Sequence, residues 1–187
     1  GENNPQRILD QHIWSMAFQA HPYHHSTIGW KSDIENMPIE KLKEFYDIYY
    51  WPNNATVSIV GDVDIKDGLD LVKKYFGKIR KSKHVIPTVY TTEPEQEGQR
   101  RVMLNRAGQQ GVVGVAFKSP SVTDEDMAPM IVLGQILGSG KNSRFYKQIT
   151  DKGLVTSISA SPSKFKYEGL FEVYASLTPG TKHKKVE

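Results

Sequence analysis

The sequence contains no cysteine, so disulfide staples, thiolate zinc sites and cysteine nucleophiles are excluded together. That absence suits a reducing cytoplasm and an oxidising envelope equally, and leaves the compartment open. Long apolar runs are missing as well. Met130–Leu133 and Val112–Phe117 are short stretches against the roughly 20 residues that cross a bilayer, so no membrane span is expected. Charge of one sign is also lacking: 24 Lys and Arg against 21 Asp and Glu leave +3, too balanced to draw nucleic acid through bulk electrostatics. What is present is core-forming material. Hydrophobic residues make up 38% and aromatic residues 10% of 187, which excludes a disordered chain and suffices for one ordinary domain or two small lobes. The first residue is not Met, and the charged end Lys182–Glu187 reads as cut in mid-element; both suggest an excised segment.

Along the chain, Pro5 sits where a first helical turn accepts it, and Ile8, Leu9, His12, Ile13, Met16 and Ala17 recur on one face, which predicts a helix ending before His21-Pro22-Tyr23. A polar loop through Gly29 and Trp30 is expected next. Pro38 opens a second helix with Ile39, Leu42, Phe45, Tyr46 and Tyr49 on one side, closed by Trp51-Pro52-Asn53-Asn54. Thr56–Val60 alternates with β-branched residues and reads as a strand, and Ile65, Leu69, Val72, Tyr75 and Phe76 predict the helix after it. Lys78 to Gln99 changes character. It carries Lys78, Arg80, Lys81 and Lys83, then Pro87, Pro94 and the acidic residues Glu93, Glu95 and Glu97, and reads as a connector.

Beyond Gln99, Arg101–Asn105 and Gly111–Phe117 are rich in Val and predict strands. An acidic start at Asp124 precedes a helix through Met127, Met130, Ile131, Leu133, Gly134, Ile136 and Leu137, broken at Gly138-Ser139-Gly140. A shorter helix is expected from Ser143 to Asp151, then strands over Leu154–Ser161 and Gly169–Leu177, the last ended by Pro179-Gly180. Adjacent strands with interspersed helices argue an α+β fold in two lobes.

Several motifs invite chemistry. His21, His24 and His25 crowd into five residues, yet His24 and His25 are adjacent in a Pro-containing loop, where ligands on one helix face would stand a turn apart. None of the six histidines begins or ends an H-x-x-E-H or H-E-x-x-H motif, so capping and surface roles are favoured over zinc. Gly138-Ser139-Gly140-Lys141-Asn142-Ser143 has the look of a phosphate loop. However, Gln135 stands where the first Gly belongs, Asn142 replaces the magnesium-binding hydroxyl, and the loop follows a helix. A helix-breaking turn is favoured, with lining a substrate chamber as a subtler use. The basic run at Lys78–Lys83 reads as solvated connector, since acidic neighbours cancel its field. No G-x-S-x-G elbow supports a Ser/His/Asp centre.

Taken together, His21-Pro-Tyr with Ile28-Gly-Trp30, Leu42–Ala55 (LKEFYDIYYWPNNA), Val60-Gly-Asp-Val-Asp64, Leu137–Lys147 and Gly153–Ala160 carry a resemblance from Asn3 to about Pro179. The chain resembles the pitrilysin/insulinase-like zinc metallopeptidases, which include mitochondrial processing peptidase and many bacterial zinc proteases. The resemblance implies metallopeptidase-type lobes of mainly antiparallel sheet packed with helices, here two incomplete lobes. Residues 1–80 would end the catalytic-type lobe, 81–98 link the lobes and 99–187 begin the second, non-catalytic lobe. It implies that H-x-x-E-H and the glutamate completing the zinc shell lie upstream, so the parent protein hydrolyses peptide bonds with zinc while this segment holds no catalytic residue and no metal.

The implied partners are a peptide or protein substrate and a partner lobe or subunit, with self-association through strand edges left bare and no nucleic acid. The implied location is a bacterial periplasm or cell envelope, or the cytoplasm. Gly138, Ser139, Gly140, Lys141 and Asn142 are the candidate substrate-facing loop. One departure stands out: where many relatives carry an Arg and a Tyr that help bind substrate, this sequence has Thr150 and Thr156, so a partner lobe or subunit is expected to supply that pair. Two other readings are kept. One is a non-catalytic structural or partner subunit of the same family, and the other a nucleotide or nucleic-acid binding module.

Overall fold

The computed structural model describes residues 4–108 and 110–187. Contacts divide the chain into two units: Gly1–Thr27 with Thr91–Glu187, and Ile28–Tyr90.

The first unit is built on one sheet. β1 (Val112–Ser119), β2 (Val155–Pro162) and β3 (Gly169–Leu177) pair antiparallel in the order β1-β3-β2, so β3 is central. Register opposes Ala116 to Glu172 and Val113 to Ala175 on one side, and Ala160 to Val173 on the other. A central strand has both faces to cover, and β3 reads accordingly: Leu170, Phe171, Ala175 and Leu177 are buried. Helix α1 (Pro5–Ala17) lies over the face carrying Gly114 and Tyr174, where an added Cβ at Gly114 would meet Ile13 Cδ1 at 2.6 Å. Asn4 caps it by accepting the Arg7 N–H through its side chain at 3.1 Å, with Pro5 in the first turn.

A second helix, running Met127–Gly138, packs on β2. An added Cβ at Gly134 would stand 2.8 Å from Ala160 O, and one at Gly138 2.7 Å from Ala160 N. Two glycines one turn apart thus let helix and strand backbones approach within van der Waals range. Among the described residues Arg101–Asn105 forms no ladder, contrary to the strand expected there. Val102 and Leu104 instead line a cavity of about 430 Å³, as do Ile8, Leu9, Val112 and Val113. The helix expected over Ser143–Asp151 is shorter and wider. Tyr146–Thr150 is a π turn, in which the Asp151 N–H reaches Tyr146 O at 2.8 Å.

The second unit contains α2 (Lys31–Asn36), α3 (Ile39–Tyr49) and α4 (Ile65–Phe76), which makes the Met127–Gly138 helix α5 in chain order. The loop expected through Gly29 and Trp30 is in place, and α2, which the sequence pattern did not predict, begins directly after it. Six residues are fewer than two turns, too few to display a period, and Trp30 O starts the helix by accepting the Asp33 and Ile34 N–H groups. Thr56–Val60 is unpaired, not the strand expected, because the unit offers no neighbouring strand among the described residues; Val60 is 93% exposed. α4 is capped by Asp64, which accepts the Lys66 and Asp67 N–H groups at 2.8 and 3.1 Å. Residues 77–99 contain no helix or strand. By contact, however, residues from Thr91 onward go with the sheet, and so does α1.

The glycines of α4 and α5 differ in sign. Gly134→Ala must displace strand backbone and is expected to cost about 1–3 kcal/mol. Gly68→Ala in α4 meets only Ile59 Cδ1 and Val63 Cγ2, both at 3.8 Å, and its better helix propensity should stabilise by about 0.5–1 kcal/mol. Urea midpoints of the two variants against the parent check both signs.

Candidate functional site

The loop Gly138–Asn142 is launched from the end of α5. Gly138 is the last helical residue, locked against the Ser159–Ala160 backbone, and the Ser139 N–H still reaches back to Gln135 O at 3.1 Å. Gly140 has φ +72°, the left-handed region that a side chain rarely adopts, and the space beside its Cα is open. Its carbonyl accepts the Ser143 N–H at 3.2 Å, and buried Ser143 accepts the Tyr146 N–H through Oγ at 3.3 Å. The loop is thereby held at both ends, with Ser139, Gly140, Lys141 and Asn142 exposed between. It presents backbone polar groups and one ammonium. A helix and not a strand precedes it, so the local frame a nucleotide phosphate loop requires is lacking.

A second constellation forms where α1 ends. The backbone leaves helical geometry at Phe18, ahead of Pro22, and the N–H groups of Gln19, Ala20 and His21 reach no backbone carbonyl. Glu93 supplies one carboxylate to all of them, its oxygens accepting at 2.6, 2.9 and 2.9 Å. Burial pushes the Glu93 carboxyl up, but the backbone N–H groups and the Lys118 ammonium outweigh it and hold the carboxyl below the usual glutamate range. His21 is buried beneath this clamp. Its Nδ1 accepts the Tyr23 N–H at 3.2 Å, and its ring packs on Tyr23, Tyr167 and Phe18 with centroids 4.3, 5.2 and 5.9 Å away. Burial lowers its pKa; Glu93 opposes, and Lys118 and His24 assist. Lys118 itself sits 3.4 Å above the Phe18 ring.

Of the histidines singled out in the sequence, His21, His24 and His25 are brought together, and His24 Nε2 meets His25 Nε2 at 2.7 Å. Among the described residues no group of three or more His, Asp or Glu is arranged to hold a metal ion. Thr156 Oγ1 is engaged locally, donating to Ser176 O at 3.2 Å and accepting from Gln110 Nε2 at 2.8 Å. Sequence reasoning missed the Glu93 clamp, since more than 70 residues separate Glu93 from the groups it binds and the acidic run Glu93, Glu95, Glu97 reads as solvated. The only signal was Pro22, which marks where the helix must end but not what the backbone beyond it bonds to.

Removing the charge while keeping the shape tests the clamp. Glu93→Gln is expected to cost about 1–2 kcal/mol near neutral pH. The folded pKa lies below the ordinary 4.5, so the clamp's contribution is full above that value and is lost as pH falls through the folded pKa. Urea midpoints of the two proteins should therefore converge in acid.

Residues 36–187 match the family model described as the peptidase M16 inactive domain. The zinc protease PqqE of Helicobacter pylori is 32% identical over 184 residues, which is 97% of this chain and 41% of that protein. The probable mitochondrial-processing peptidase subunit beta of Arabidopsis thaliana is 24% identical, over 93% of this chain and 35% of its own length. Among solved structures, a protease from Helicobacter pylori superposes with a TM-score of 0.92 at 30% identity, covering 99% of this chain and 46% of that one. The chain thus spans less than half the length of these relatives.

Proposed function

Because the chain belongs to the peptidase M16 family and matches its inactive domain, we propose that it is a non-catalytic part of a zinc metalloendopeptidase, forming wall and substrate surface but no reaction centre. The match over residues 36–187 carries this reading. The residues present do not fit a zinc site. His24 and His25 turn their Nε2 atoms toward each other, and His21 commits Nδ1 to the Tyr23 N–H. The metal and the groups that act with it therefore belong, in this proposal, to polypeptide outside the 187 residues, as does the Arg/Tyr pair replaced here by Thr150 and Thr156.

What this chain contributes is surface. For the intact protein we keep residues 1–80 as the end of one lobe, 81–98 as connector and 99–187 as the start of the second, with the exception that α1 and the residues from Thr91 pack with the sheet of the second. The exposed loop of Gly138, Ser139, Gly140, Lys141 and Asn142 faces the substrate. An extended peptide can be held there by backbone hydrogen bonds and by Lys141, groups that orient a substrate without reacting with it. Strand edges and apolar faces left bare in this chain, such as Thr56–Val60, are covered by the partner lobe or subunit; without it they favour self-association.

Two measurements test the proposal. The isolated chain is expected to retain no stoichiometric zinc after dialysis and to leave a quenched-fluorescence peptide uncut, and a zinc-dependent turnover by the chain alone would overturn it. In the full-length protein containing this chain, Lys141→Ala is expected to raise KM by roughly threefold or more with kcat little changed, the signature of lost uniform binding. An unchanged KM would remove the loop from the substrate surface.

A further inference from the structure

Glu172 is the only charged residue in β3, and register places it on the same face as Leu170 and Tyr174, beneath α1. Asp10 of α1 descends onto the same spot. The Tyr174 hydroxyl lies 2.8 Å from Asp10 Oδ1 and 3.2 Å from Glu172 Oε1, and Glu172 Oε1 also accepts the Trp14 indole N–H at 2.9 Å. A phenol has one hydrogen to give. With that hydrogen on Asp10, the contact between Tyr174 and Glu172 becomes a hydrogen bond only when Glu172 contributes a proton of its own.

No cation relieves the pair. Among the described residues neither carboxylate has an ion-pair partner. On α1, Arg7 stands one turn before Asp10 but is exposed and unpaired with it, and Trp14 is neutral. From β1 the facing residues are Gly114, Ala116 and Lys118, and the Lys118 ammonium is drawn to the Phe18 ring, with Glu93 and Glu168 as its nearest charges. From β2 the neighbours are Ser159 and Ser161. Two carboxyls thus converge on one phenol and one indole, with nothing positive between them.

We propose that a proton on Glu172 is the latch holding α1 on the sheet: the helix stays docked while Glu172 keeps it, facing Tyr174 and Asp10, and loosens when Glu172 is charged. Burial first, then the charge of Asp10, push Glu172 up to about 7, and the same surroundings raise Tyr174 above the usual phenol range. The sign follows. A carboxyl whose folded pKa is raised contributes most below its unfolded value and loses that contribution as pH rises through about 7, so docking weakens from mildly acidic toward mildly alkaline conditions. This is opposite to the Glu93 clamp, which fails only in acid.

Amide hydrogen exchange on the full chain tests the latch. Protection of α1 amides, with the intrinsic pH dependence of exchange divided out, should fall about tenfold or more between about pH 5.5 and pH 8, while β2 amides serve as the internal reference. Glu172→Gln carries permanent amide hydrogens in place of the titrating one and should give α1 protection that is flat across this range. Asp10→Asn removes the opposing charge and should move the decline to lower pH. Flat protection in the unsubstituted chain would overturn the proposal. So would a Glu172→Gln profile that follows the unsubstituted one or, if that variant fails to fold, an Asp10→Asn profile with unmoved midpoint.

Discussion

The double-sided burial of β3 is the constraint from which the rest of the first unit follows. A strand carrying Leu170 on one face and Phe171, Ala175 and Leu177 on alternating positions, all buried, cannot stand with a single cover. On one side of the sheet α5 packs on the neighbouring strand β2 through two glycines that bring backbones together, and on the other α1 docks through aromatic packing and polar contacts. The two covers differ in kind. The α5 contact is steric and indifferent to solvent conditions, whereas α1 depends on ionisable groups at its middle and at its end.

That asymmetry also separates what was legible in the sequence from what was not. Helical periodicity marked α1, α3, α4 and α5, and strand-like composition marked β1, β2 and β3, although the apolar faces of α3 (Ile39, Leu42, Phe45, Tyr46) and α4 (Ile65, Leu69, Tyr75, Phe76) stay exposed in this chain. Thr56–Val60 and Arg101–Asn105 have equally good strand composition yet remain unpaired, since a ladder needs a partner that composition cannot report. The π turn at Tyr146–Thr150 was hidden for a different reason: one extra residue per turn leaves the apolar spacing of a short helix nearly intact.

The sites divide in the same way. Gly138–Asn142 was visible because Gly-Ser-Gly breaks a helix locally, and the structure adds only how firmly its ends are held. Glu93 and the group of Asp10, Trp14, Glu172 and Tyr174 join residues far apart in sequence, so no spacing rule links them. Glu172 nevertheless left a trace as a lone acid within an otherwise apolar strand, and such a residue must find donors or a proton.

The close approach of Gly134 and Gly138 to Ala160 has a geometric consequence for whatever meets the exposed loop. With no side chain interposed, the helix end has no cushion along which to slide, so the tip at Gly140 is carried like the end of a short rigid arm fixed to the sheet. Its distance from β2 is set by backbone thickness alone. On the proposed reading of this loop, a molecule arriving there would encounter a gauge of constant reach, and any adjustment for size would fall to the visitor.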